Sequence, residues 1–352
     1  MIQTQAQLSD FLHAIEDETE LAIDTEFKRV NTYYPLLCLV QIATKSATDC
    51  IDILAIENLQ PLFGKLHQKH CLWIVHSARQ DIEAMYCLSG KLPTQLFDTQ
   101  IALDLLKDLR PDTCNPGAQI SYQSLTEILQ GVHLEKAYTR FDWTTRPLPD
   151  GAIEYSLDDV RYLIKNYRQL KTRLENEQKL KWLMEEGQSL LDISLYEVDI
   201  TQAWRRVKGI SHLPKKMHNI STQLCAWREH TAIDKNKPRK WILSDDDLIN
   251  IAMGKDNFND KKQQSFESFL TQYPQLYDIK IDAQHTPPTP AERAQRVILQ
   301  KGIQAKANQY NLTTEVIATS KTLLRYIRGD QSVNFLSGWR YQILKEELEN
   351  AK

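Results

Sequence analysis

Nothing in this chain is long and apolar enough to span a bilayer. A membrane helix needs about 18 or more apolar residues in a row, and the strongest run, PLLCLV at 35–40, falls far short. Paired cysteines are missing as well. Cys38, Cys50, Cys71, Cys87, Cys114 and Cys225 include no CxxC pair and no metal-ligand spacing. Free thiols in a reducing, cytoplasmic setting are therefore expected rather than a disulfide framework. The opening MIQTQAQLSDFLHAIEDETE has no basic start, apolar core or cleavage site, so no secretory signal is expected. What is present suits a protein with sizeable cores: 42% hydrophobic and 25% charged residues over 352 positions, a length that predicts two or three domains. The net charge of −3 conceals a division. Residues 1–200 carry 19 Lys+Arg against 30 Asp+Glu, and residues 201–352 carry 24 against 16. A basic second half suggests contact with a polyanion, although a solvated surface accounts for it equally.

From residue 20 to about 110, short apolar runs alternate with helix-length segments. ELAIDTEF (20–27), CLVQIAT (38–44) and TDCIDIL (48–54) predict three successive strands, near enough in sequence for an antiparallel meander. A helix over 58–70, a buried strand CLWIVHS (71–77), a helix ending at Gly90, a short strand LFDT (96–99) and an amphipathic TQIALDLLKDL follow. This order predicts an α/β domain around a mixed sheet. RPDTCNPGAQIS (110–121) reads as a loop. Helices then dominate: YQSLTEILQGV, one long helix from about Asp150 to Leu174, and KLKWLMEEGQSLLDIS at 179–194. No strand is convincing past residue 200. Two helical patterns, NISTQLCAWREHTAI and SDDDLINIAMG, flank the basic KNKPRKW (235–241), and QHTPPTPAE (284–292) reads as a linker before a last Arg- and Lys-bearing helical group.

The first strand carries two acids. Successive side chains of a strand face opposite ways, so Leu21, Ile23, Thr25 and Phe27 share one face while Ala22, Asp24 and Glu26 share the other. The two carboxylates are then roughly 6–7 Å apart along the strand. A solvent-exposed sheet face would produce the same alternation, but within the expected strand, 20–27, no Lys, Ser or Thr on that face balances the acids. Asp81 follows the strand CLWIVHS, where Ser77 and Gln80 fit a capping box. On its own Asp81 is explained by the helix dipole, and His76 by packing. In EYSLDDVRYL (154–163), Tyr155 and Asp159 are i and i+4 and share a helix face, while Asp158 nearly shares it. Periodicity does not choose between the two acids. Four carboxylates converging on one site would repel one another unless cations compensate. Hard oxygen donors suit Mg²⁺ or Mn²⁺, and two such ions about 4 Å apart clamp an in-line displacement at phosphorus.

AIDTEFKRVNTYYPLLCLVQI, IVHSARQDIEAM, the FDWTTRPL loop and EYSLDDVRYL resemble, in order, the motifs of the DEDD 3′–5′ exonucleases. More narrowly, the chain resembles the ribonuclease D family. ITQAWRRVKG through WILSDDDLINIA resembles a first HRDC (helicase and RNase D C-terminal) module, and ATSKTLLRYIRGDQSVNFLSGWRYQIL resembles the end of a second. The resemblance implies a ribonuclease H-like α/β exonuclease domain with a mixed sheet at 1–195 and an all-α HRDC bundle at 196–283. A linker at 284–292 and a second HRDC-like bundle at 293–352 would follow. It makes Asp24 and Glu26 the acids of the first motif, Asp81 that of the second and Asp159 that of the third. The third motif is Tyr-x-x-x-Asp, which pairs Tyr155 with Asp159 and leaves Asp158 a bystander. The linker and the GKDNFNDKKQQ stretch depart from the family's tail.

In the scheme so implied, Asp24, Glu26 and Asp159 share one divalent ion, Asp24 holds a second with Asp81 nearby or acting through water, and Tyr155 orients the attacking water. The activity implied is release of nucleoside 5′-monophosphates from RNA 3′ ends, tRNA precursors included, by a cytoplasmic monomer without membrane attachment. Arg205, Arg206, Lys208, Lys215, Lys216, Lys237, Arg239 and Lys240 are candidate phosphate contacts. Arg140, Trp143 and Arg146 precede the third motif; Trp143 fits either a core position or base stacking. A DNA exonuclease would use the same acids, and a non-catalytic nucleic-acid scaffold is opposed by the complete motif set.

Overall fold

The computed structural model describes residues 1–110, 118–279, 281 and 287–350. Cys114, most of the expected loop at 110–121 and residues 284–286 of the expected linker lie outside them.

Five strands form one sheet: β1 (Glu20–Lys28), β2 (Leu36–Ala43), β3 (Thr48–Asp52), β4 (Leu72–Val75) and β5 (Gln95–Asp98), in the order β3-β2-β1-β4-β5. β2 and β3 are antiparallel, from Leu39↔Asp52 to Ala43↔Thr48. β4 is parallel to both β1 and β5, so the sheet is mixed. Strands paired on both sides and covered on both faces become continuous apolar runs, which is why β4 reads LWIV. β1 leads outward to β2 on one side and β4 leads to β5 on the other. Strand order therefore reverses between β1 and β4, the place where open α/β sheets leave a crevice for ligands. The pairing there runs only from Glu20↔Leu72 to Ala22↔Ile74, and the second half of β1 extends past it.

The helices are α1 (Gln5–Ala14), α2 (Gln60–Leu66), α3 (Arg79–Ser89), α4 (Thr99–Leu105), α5 (Tyr122–Gln130), α6 (Asp150–Arg161), α7 (Leu163–Asn176), α8 (Leu180–Ser189), α9 (Lys215–Asp234), α10 (Arg239–Ile242), α11 (Asp245–Ala252), α12 (Asp260–Gln272), α13 (Pro290–Gln309), α14 (Thr314–Ile317), α15 (Ser320–Ile327) and α16 (Gly338–Asn350). Two depart from the periodicity. α1 lies before the first expected element and starts at a capping box, Thr4 accepting from the Gln7 N–H and Gln7 from the Thr4 N–H. The expected single helix from Asp150 to Leu174 is two, α6 and α7, meeting at Tyr162. There the Tyr162 N–H goes to the Val160 carbonyl rather than to that of Asp158, which accepts from the Tyr122 hydroxyl at 3.1 Å, and such side-chain insertion into the ladder bends helices.

The chain groups into two compact units, Met1–Lys28 with Leu37–Ile193 and Pro288–Lys352, and Arg29–Leu36 with Ser194–Pro287. In the first unit one apolar cluster joins Ala22, Ile74 and Phe97 of the sheet to Tyr167 and Leu183, and on to Ile303, Leu323, Phe335, Trp339 and Leu344. The residues of the expected second helical module thus share the sheet's core. Trp182 of α8 stacks on Trp339 of α16, centroids 4.6 Å apart. Glu185 accepts from the Trp339 backbone N–H at 3.0 Å and Glu186 from its indole at 2.7 Å. Gly187 lets α8 approach β5, since a Cβ there would meet the Leu96 carbonyl oxygen at 2.9 Å. The second unit is all-helical among the described residues outside Arg29–Leu36, its core built on α9 with Trp204, Trp227, Leu248, Phe266 and Phe269.

Candidate active site

Asp24 and Glu26 lie on the part of β1 that runs past its pairing with β4. Asp159 of α6 meets them there, and carboxylate oxygens of the three, each residue half-buried, all fall within 4.8 Å of one another. α6 is held in place by the segment before it. Trp143, 4% exposed, packs with Cys38, Leu39, Leu148 and Ala152. Arg146 grips the fully buried carboxylate of Asp52 through Nε at 2.7 Å and Nη2 at 2.6 Å. Lys28 pairs with Asp142 at 2.7 Å.

Asp81 stands in the first turn of α3, buried, outside that trio. Its carboxylate accepts a 2.6 Å hydrogen bond from the Thr25 hydroxyl, which ties it to β1 between Asp24 and Glu26. The expected Ser77 capping box does not form. Ser77 has φ +64, and it is the carboxylate of Asp98 that receives the Ser77 and Ala78 N–H groups at 2.9 and 2.8 Å. A buried anion at the end of β5 therefore fixes the start of α3, where the helix dipole favours it. His76 is structural: its ring nitrogens meet the Thr99 hydroxyl and the Ile120 carbonyl, each at 2.9 Å, and burial lowers its pKa.

Burial, then mutual repulsion, raises the affinity of these acids for protons. Burial and the charges of Asp81, Asp159 and Glu26 push Asp24 well up. Glu26 is pushed up to about 9 by burial and by Asp159 and Asp81. Asp159 reaches about 7 through burial and its neighbours Asp158 and Asp81. Burial lifts Asp81 to about 7 against the opposing Thr25 hydrogen bond. No Lys or Arg forms an ion pair with any of the four among the described residues. Carboxylates gathered without a counter-ion and offering only hard oxygen donors fit a divalent metal ion. Asp158 stays out of the cluster, paired with Arg161 at 2.5 Å. Tyr155, one turn before Asp159, sits against Tyr138 and Trp143, and burial and the Asp159 charge push its phenol up to about 12.

The basic candidates divide. Arg140, Lys208, Lys215, Lys216, Lys237 and Lys240 are exposed. Arg205 is exposed too, its guanidinium 4.7 Å from the Trp204 ring centroid. Arg146 differs from the expectation of a phosphate contact, because Asp52 and the carbonyls of Trp143 and Thr145 occupy its donors. Arg206 and Arg239 also have a structural role: both pair with Glu229, 1% exposed, at 2.5 and 2.7 Å, and the Tyr33 hydroxyl donates to the same carboxylate. Trp143 belongs to the core. Sequence alternation missed Thr25 as an anchor for Asp81; the only available signal was a hydroxyl among Leu21, Ile23 and Phe27 on the packed face.

Residues 1–175 match a family described as 3′–5′ exonuclease. Ribonuclease D of Bartonella henselae is 31% identical, over 99% of this chain and 89% of that protein. Ribonuclease D of Sphingobium indicum is 37% identical over 72% of this chain and 63% of its own length. Among solved structures, Escherichia coli RNase D, described as an exoribonuclease involved in structured RNA processing, superposes with a TM-score of 0.81 at 24% identity over 100% of this chain and 97% of that one. The catalytic core of RRP6 from Trypanosoma brucei gives 0.57 at 22% identity over 79% and 77%. With near-complete coverage at that identity, this chain is a member of the ribonuclease D family of 3′–5′ exonucleases.

Proposed function

We propose that the chain is a metal-dependent exoribonuclease that removes nucleoside 5′-monophosphates one at a time from RNA 3′ ends, maturing tRNA precursors and other small structured RNAs. The observation that carries the reading is the trio Asp24, Glu26 and Asp159 with its oxygens inside 4.8 Å. These residues would hold Mg²⁺ or Mn²⁺, two ions in all with Asp81 at the second. Such ions supply an activated water and charge neutralisation at phosphorus. Thr25 keeps Asp81 in register with β1. The Tyr155 phenol, its pKa pushed up to about 12, keeps its proton at neutral pH, so it donates a hydrogen bond and orients water rather than removing a proton. Residues 196–283 and 293–352 are assigned as HRDC modules on their sequence resemblance. Arg140, Arg205, Lys208, Lys215, Lys216, Lys237 and Lys240 are assigned to phosphates, where they would position RNA without reading its sequence. A cytoplasmic setting fits the buried cysteines, none of which forms a disulfide among the described residues, and a monomer is proposed on the family resemblance alone.

The test is a gel with 5′-labelled RNA and matched DNA in Mg²⁺, Mn²⁺ or EDTA. A one-nucleotide ladder on RNA, lost in EDTA, is expected. A ladder on DNA alone, or one that survives EDTA, would overturn the reading.

A further inference from the structure

The helical unit contains a cavity of about 490 Å³ lined by residues of α9, α10 and α12 and the turn before α12. Trp227 forms part of its wall, its indole donating to Ser265 at 3.2 Å. Trp241 is the contrast: it lines the same cavity yet is 61% exposed. A large indole left in water forgoes the burial that normally holds it. Lys235, Lys261 and Lys262 line the cavity too, and no Asp or Glu does. None of these three ammonium groups has a carboxylate partner among the described residues, although Arg206, Arg228 and Arg239 of the same unit each have one. The Lys237 ammonium adds a fourth charge 5.8 Å from the Trp241 ring centroid.

An open aromatic face beside unpaired cations matches one polymer chemistry. Single-stranded nucleic acid offers a flat base to the indole and phosphates to the lysines, with no sequence requirement because every base has a π-face. An acidic peptide would satisfy the lysines and leave the indole face unused. The volume falls in the range of small-ligand pockets. We propose that this cavity holds one nucleotide of single-stranded RNA, its base stacked on Trp241 and its phosphates against Lys235, Lys261 and Lys262. The proposal rests on RNA being the substrate and adds a base contact to the phosphate contacts already assigned to the helical unit.

The test uses the full chain with a 5′-labelled 20-nucleotide RNA in EDTA, read by fluorescence anisotropy across a salt series. Trp241→Ala is expected to weaken binding about tenfold, the scale of one lost stack, and Trp241→Phe to retain most of the affinity. Lys261→Ala with Lys262→Ala is expected to flatten the slope of log affinity against log salt by roughly 1.4, about 0.7 for each lost phosphate contact. Hydrolysis of a trinucleotide in Mg²⁺ should be unchanged in every variant. Wild-type affinity and salt slope in Trp241→Ala and the double variant would overturn the proposal. So would a polyglutamate peptide that displaces the RNA from wild type and loses that ability in Trp241→Ala, since the cavity would then be an acidic-protein site. If wild type leaves the trinucleotide intact, the activity reading fails separately, while the anisotropy result still decides the cavity.

Discussion

Two carboxylate sites buried in this chain are built in opposite ways. Glu229, in the helical unit, is surrounded by its own counter-ions: Arg206, Arg239 and the Tyr33 hydroxyl all point at it. Asp24, Glu26 and Asp159, in the sheet unit, have no Lys or Arg partner among the described residues. The first arrangement is complete without any ligand. The second would be completed by a cation. A charge cluster that the chain leaves unneutralised marks the place of chemistry, whereas one it neutralises marks architecture.

The largest effect expected comes from breaking the uncompensated site. Asp24→Asn or Asp159→Ala should lower hydrolysis in Mg²⁺ by at least about a thousandfold, or roughly 4 kcal/mol of barrier. Circular dichroism should stay unchanged, and turnover near wild type in both would dismiss the site. Stability should sharpen the same contrast. Without metal, Glu26 holds its proton up to about 9, while the unfolded chain releases it near the ordinary carboxylate value. Between those limits the folded state carries more protons, so the melting temperature in EDTA should fall as pH rises from about 5 to about 9. Divalent metal should restore it at the upper end, and Asp24→Asn should flatten the profile; a melting temperature that rises over this range would refute the assignment. At the compensated site, Glu229→Gln leaves two arginines facing a neutral amide and should cost about 2–3 kcal/mol in urea unfolding, less than a fully buried pair because Arg206 is half exposed. The smallest effect is expected from Thr25→Val, which removes only the donor to Asp81. A rate loss of about tenfold with unchanged RNA affinity is expected, and an equal loss in affinity would argue that Thr25 serves binding instead.

Much of this was readable beforehand where local pattern and tertiary role coincide. The β1 alternation placed Asp24 and Glu26 on one face, and helical spacing put Tyr155 near both Asp158 and Asp159, because strand and helix periods are properties of the backbone; the choice of Asp159 came from the motif resemblance. Long-range partners were not readable. Asp98 serving the start of α3, Asp52 holding Arg146, and Tyr33 meeting Glu229 join residues 20, 94 and 196 positions apart, and no local period encodes such pairs. For the same reason Arg146, Arg206 and Arg239 read as free cations until their partners were placed. The division of the long helix at Tyr162 was hidden too, because the Asp158 carbonyl at the break is taken by a tyrosine from α5 rather than by anything within the helix.

The order of assembly follows from where the sheet unit's core residues fall along the chain. Its apolar cluster runs from Ala22 to Leu348, and the stretch Ser194–Pro287 that lies between belongs to the other unit. A ribosome delivers residues in sequence, and domains fold as their segments emerge. The helical unit therefore has all of its residues before the sheet unit does. The trio of acids would wait, with its core unfinished, until Phe335, Trp339 and Leu344 have left the exit tunnel.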